Sequence, residues 1–135
     1  MQIKNLVLKD GQATPADHTF TPQTSQKGTA PAEWLERNSG SPIGYNRVTA
    51  LVSASQSGVS KVSLVIATPK LQSLGAGCCV DQNTPQVSFT EFANIVFKLP
   101  ASSTIQDRKD ILALAKNLLA SDQVVAMVEN LEPAY

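Results

Sequence analysis

Residues 86–100, QVSFTEFANIVFKLP, alternate in the period of two that sends successive strand side chains to opposite sides of a sheet. Val87, Phe89, Ala93, Ile95, Phe97 and Leu99 fall on one side and require a core. Ser88, Thr90, Phe92, Asn94, Val96 and Lys98 fall on the other, a mixed surface with a ring and an amide two residues apart. Glu91 interrupts the apolar side, which points to an edge position or to a partner that the pattern does not name.

The same period recurs upstream. Residues 45–55 (YNRVTALVSAS) and 60–69 (SKVSLVIATP) predict two strands joined through Gln56-Ser57-Gly58-Val59 as a hairpin. Val48, Ala50, Val52 and Ala54 share one side of the first, with Arg47, Thr49, Leu51, Ser53 and Ser55 opposite. In the second, Val62, Leu64 and Ile66 oppose Lys61, Ser63 and Val65. Laid side by side, the three strands gather Arg47, Lys61 and Lys98 on one hydroxyl-rich face. No carboxylate is expected among them, because Glu91 has the other parity. An ordinary solvated antiparallel sheet has this appearance as well.

Nearer the start, residues 2–9 and 17–22 flank Asp10-Gly11-Gln12, and Asp-Gly between apolar runs predicts a β-hairpin, here with Pro15 and Pro22 marking its ends. Residues 30–37 (APAEWLER) are open to a helical turn or a short strand. Pro31 and the loop from Asn38 to Pro42 favour the strand. Trp34 reads as a packing residue or as a ring for stacking a ligand.

Beyond residue 100 the period lengthens. Thr104 and Asp107 have capping-box spacing, and Ile105, Ile111, Leu112, Ala115, Leu118 and Leu119 recur at helical intervals, predicting an amphipathic helix over about 104–119. Ser121-Asp122 opens a shorter helix through Val124, Val125, Met127, Val128 and Leu131, stopped by Pro133. Strands first and helices last give an α+β fold with helices on one face of an antiparallel sheet.

Composition narrows the function. The 135 residues suit one domain, expected over 1–135 with a hairpin at 2–22, a main sheet at 30–100 and helices at 104–132. Eleven basic and eleven acidic side chains leave no net charge, so any anion site must come from local clustering. No apolar run approaches a membrane span and the start shows no basic-then-apolar leader, so a soluble protein made and kept in the cytosol is expected. Cys78 and Cys79 are adjacent, a geometry in which two cysteines rarely bridge each other, and they lack the further Cys or His of a zinc site. They read as plain loop thiols or as disulfides between copies.

No catalytic constellation emerges. His18, the single histidine, lies far in sequence from both thiols, and the carboxylates form no acid/base pair. No phosphate-binding glycine loop, dinucleotide fingerprint or metal-ligand spacing occurs, so neither an enzyme nor a cofactor is expected. A flat sheet bearing Thr, Ser, Asn, one ring and a few cations suits a different chemistry. Its ring can stack an unpaired base and its hydroxyls and amide can bond the base edges, while cations meet phosphates.

Several strings in order along nearly the whole chain resemble the coat proteins of the single-stranded RNA bacteriophages, the levivirus family. They are GTAPAEW at Gly28 to Trp34, YNRVT at Tyr45 to Thr49, TPK at Thr68 to Lys70, FAN at Phe92 to Asn94 and NLEPAY at Asn130 to Tyr135. The resemblance implies an N-terminal hairpin, a five-stranded antiparallel sheet and two C-terminal helices. It also implies an intertwined homodimer sharing a continuous ten-stranded sheet, with each chain's helices clasping its partner, and assembly of dimers in the host bacterial cytoplasm into the icosahedral shell of the virion. The connection over about 71–84 would surround the symmetry axes of that shell. Disulfides between copies through Cys78 and Cys79 then become the preferred reading, formed outside the reducing cytosol.

The resemblance further implies that the inward sheet face binds a hairpin of the viral RNA, repressing translation and marking the genome for packaging. Position by position, Arg47 and Lys61 match basic residues and Thr49 and Ser63 match hydroxyls lining a base pocket. Phe92 stands in the place of a stacking Tyr, and Asn94 matches a contacting Asn. Leu51, Ser53 and Val65 depart from the Ser, Arg and Lys of some members, which predicts a shallower salt dependence of RNA binding, although Ser53 is kept in the candidate surface. The alternative is a non-viral, sheet-based RNA- or ligand-binding α+β module.

Overall fold

Six antiparallel strands lie in sequence order across one sheet: β1 (Leu6–Lys9), β2 (Asp17–Thr24), β3 (Ala32–Glu36), β4 (Asn46–Ala54), β5 (Val59–Leu71) and β6 (Val87–Pro100). The computed structural model describes residues 1–72 and 84–134. Two units emerge, Met1–Lys98 with the sheet and Leu99–Tyr135 with helices α1 (Ile105–Leu119) and α2 (Asp122–Glu129). The expectation of a hairpin beside a separate five-stranded sheet is corrected: residues 30–100 contribute four described strands, and the hairpin joins them edge to edge through β2 and β3.

Pro22 is what makes that joint unexpected. A proline has no N–H to give a ladder and reads as a strand end. Here β2 continues to Thr24 because the register against β3 shifts between Pro22 and Thr24, a bulge that absorbs the missing donor. Further on, β4 and β5 keep unbroken register from Arg47 opposite Ala67 to Ala54 opposite Ser60. Their turn closes with Ser55 N–H on the Val59 carbonyl at 2.9 Å and with Gly58 at φ 77°, a conformation that favours glycine.

The alternation sorts the sheet into two faces. Phe20, Ala32 and Val48 are the buried apolar residues among those described, and all three lie on the face shared with Trp34, Leu64 and Ile66. Trp34 is half-buried and its Nε1 donates to the Lys4 carbonyl at 2.8 Å, so the packing reading holds, with a polar anchor to the segment before β1. On β6, Phe89 remains 55% exposed.

In the second unit, α1 begins as its capping pair predicts. Thr104 Oγ1 accepts from Asp107 N–H at 3.2 Å while Asp107 Oδ2 accepts from Thr104 N–H at 2.8 Å. The Thr104 backbone N–H, and then its hydroxyl, hold the Asp107 carboxyl below its usual range. The second cap differs from expectation: Ser121 Oγ makes no bond to the start of α2 and instead donates to the Leu118 carbonyl at 2.7 Å, closing α1. α2 ends at Glu129, short of Leu131, which adopts a left-handed φ of 57° before Pro133 is reached. Neither helix buries a single residue.

Candidate functional site

The hydroxyl face of the sheet is assembled by register. Arg47, Thr49, Leu51 and Ser53 of β4 stand opposite Ala67, Val65, Ser63 and Lys61 of β5. On β6 the phase is fixed by Glu91, whose Oε2 accepts from Thr68 Oγ1 at 3.3 Å. Thr68 shares the apolar face with Ile66, so Glu91 does too, and Thr90, Phe92, Asn94, Val96 and Lys98 fall on the hydroxyl face. Arg47, Thr49, Ser53, Lys61, Ser63, Phe92 and Asn94 therefore share one side. Glu91 gains both its explanations, a hydroxyl donor on β5 and a place on the last strand in the sheet order.

Phe92 is 66% exposed, an uncommon display for a large ring. It borders a shallow hollow of about 210 Å³ with Tyr45, Arg47, Pro69 and Thr90, which offers two rings and a guanidinium around an open space. Thr49, Ser53 and Ser63 are half-buried while Lys61 and Asn94 are exposed. Hydroxyls thus sit in the floor, with longer polar groups standing above it.

One expectation about this face is overturned. A carboxylate does stand among the cations: Glu33 of β3 lies directly opposite Thr49, and its Oε1 meets Arg47 Nε at 2.9 Å. Sequence parity within β4, β5 and β6 did not reach β3, so the pair went unseen. Cys78 and Cys79 lie outside the described residues.

A polar node on the opposite face also had no sequence signal. His18 Nδ1 lies 2.8 Å from Glu36 Oε1, and its Nε2 lies 3.2 Å from Asp10 Oδ2. Glu36 Oε2 further accepts from the buried Asn46 Nδ2 at 2.8 Å. With a carboxylate at each ring nitrogen the imidazolium is favoured: the bond to Glu36, then that to Asp10, raise the His18 pKa above 6.5. Asp10 is held below its usual value first by the Ala16 N–H at 2.9 Å and then by His18. No motif marks this node, since its members come from a turn and three strands. It ties the first hairpin to the main sheet.

The arrangement of six strands followed by two helices has close counterparts among known proteins. The profile of the levivirus coat protein family matches residues 1–135. The chain belongs to that family. The levivirus coat protein described here is 32% identical over 136 residues to the capsid protein of Pseudomonas phage PRR1, covering 99% of each chain. It is also similar to the subunits of two solved virus-like particles. For bacteriophage NT-214 the TM-score is 0.94 at 48% identity, and for bacteriophage ESE058 it is 0.88 at 28% identity, each with full coverage of both chains. A levivirus coat protein is a structural component of the virion and not an enzyme. The non-viral module falls with the family assignment.

Proposed function

We propose that this coat protein works as an obligate homodimer, that dimers close into a shell around single-stranded RNA, and that the hydroxyl face of the sheet binds an RNA hairpin, repressing translation and selecting the genome. The carrying observation is the division of the chain's surfaces. One sheet face gathers Arg47, Thr49, Ser53, Lys61, Ser63, Phe92 and Asn94, while apolar side chains elsewhere remain uncovered in the single chain.

Ile111, Leu114, Leu118 and Leu119 of α1 and Val128 of α2 are each 45% or more exposed, an extent that a lone folded chain rarely tolerates. A second copy of the chain supplies the missing cover, with β6, last in the sheet order, as the strand that continues into the partner's sheet. On the hydroxyl face, Phe92 stacks an unpaired base, Thr49, Ser63 and Asn94 bond base edges, and Lys61 with Lys98 meets phosphates. Cys78 and Cys79 link copies by disulfides after release from the cell.

Purified protein tests the reading directly. Closed particles in electron micrographs with nuclease-protected RNA inside support it, and a discrete RNA-free dimer at every concentration refutes it.

A further inference from the structure

Glu33 is an anomaly on a surface meant for RNA. Its backbone pairs with Thr49, in the middle of the hydroxyl face, and a carboxylate there repels phosphate. The side chain reaches diagonally to Arg47, two positions along β4, where its Oε1 lies 2.9 Å from Nε as an ion pair. The Arg47 side chain is 51% exposed and that of Glu33 25%, so the acid is the more covered of the two.

We propose that Glu33 is a specificity-setting residue of the RNA face: it pins the Arg47 guanidinium and cancels its charge, so that RNA is not held there by unselective phosphate attraction. The inference rests on the reading of this face as the RNA surface. Unpaired cations bind any polyanion, because the gain comes from counterion release and is indifferent to sequence. A paired arginine attracts a bare phosphate weakly yet keeps its guanidinium donors for a ligand that brings acceptors into the right place. Specificity gained by weakening the wrong complexes is a general device. On this surface Lys61 and Lys98 remain as the general phosphate contacts, which leaves Arg47 for discrimination.

The test uses assembled dimers and a short oligouridylate, an RNA with no structure to recognise, titrated over a range of salt. Glu33→Gln should bind it about two- to fivefold more tightly at low salt, the worth of one surface charge pair. Its slope of log affinity against log salt should steepen by about 0.7, one additional phosphate contact on a single strand. The double substitution Glu33→Gln with Arg47→Gln should lose both gains. A slope and affinity equal to wild type in Glu33→Gln overturn the proposal. The exchanged pair Glu33→Arg with Arg47→Glu covers the case of a misfolded single variant: a wild-type slope supports the proposal, and a steepened one overturns it. Lys61→Gln separates the two levels. If it leaves oligouridylate binding unchanged, the face is not the RNA surface and both readings fail; if it weakens binding while Glu33→Gln changes nothing, only the role of Glu33 fails.

Discussion

Truncating Leu118 to Ala on α1 isolates the energy of association. The side chain is 61% exposed in the single chain, so most of its apolar surface is free for the proposed partner chain to cover. Full burial of a leucine contributes ~1.5–3 kcal/mol, which leaves ~1–2 kcal/mol per chain to be gained on pairing. A twofold dimer counts the contact twice, ~2–4 kcal/mol in total. That converts to a ~30- to 700-fold weaker dimer at 1.4 kcal/mol per decade. Alanine is the better helix former, so weakening cannot be blamed on a frayed α1. Sedimentation velocity over a dilution series reads the change, with far-ultraviolet circular dichroism as a check on helix content. A dissociation midpoint within threefold of wild type would refute the claim that this stripe lies in the dimer contact.

Further outcomes are expected elsewhere. The raised His18 pKa gives stability that is complete below pH 6.5 and lost as pH rises through the folded value, while the lowered Asp10 pKa gives stability present above pH 3.8 and lost as pH falls. Wild type should therefore exceed His18→Gln in melting temperature most at pH values below 6.5 and by progressively less as pH rises above it, and a gap that stays constant as pH rises rules out the imidazolium node. Asn94→Ala and Thr49→Ala should each weaken binding of RNA recovered from particles by ~1–3 kcal/mol in filter-binding assays, leaving assembly intact. Non-reducing electrophoresis of particles should show disulfide-linked multimers that vanish in Cys78→Ser with Cys79→Ser, and monomer bands alone in wild type would remove that expectation.

Period-two alternation made β4, β5 and β6 legible, because each carries apolar side chains on one face and mostly polar ones on the other. The capping box made the start of α1 legible for a local reason: Thr104 and Asp107 are three residues apart, and both of its backbone bonds lie within that span. What escaped depended on register between strands. Glu33 meets Arg47 only because β3 pairs with β4 in one particular offset, Glu33 opposite Thr49. The His18 node escaped for the same reason, its partners being eight, eighteen and, through Glu36, twenty-eight positions away. Levivirus membership came from short strings in order, which carry information that periodicity does not.

The reciprocal cap at Thr104 has a consequence for the order of events in assembly. Fifteen residues with no buried side chain form a helix at the limit of what stands alone in water. A cap contributes ~0.5–2 kcal/mol, enough to shift such a helix toward the formed state before any partner arrives. Leu114 and Leu118 then hold one bearing in advance, and the entropy of ordering α1 is removed from the encounter itself. In the proposed dimer two chains meet as shaped parts that dock, and Thr104→Ala should turn that docking into slower folding upon contact.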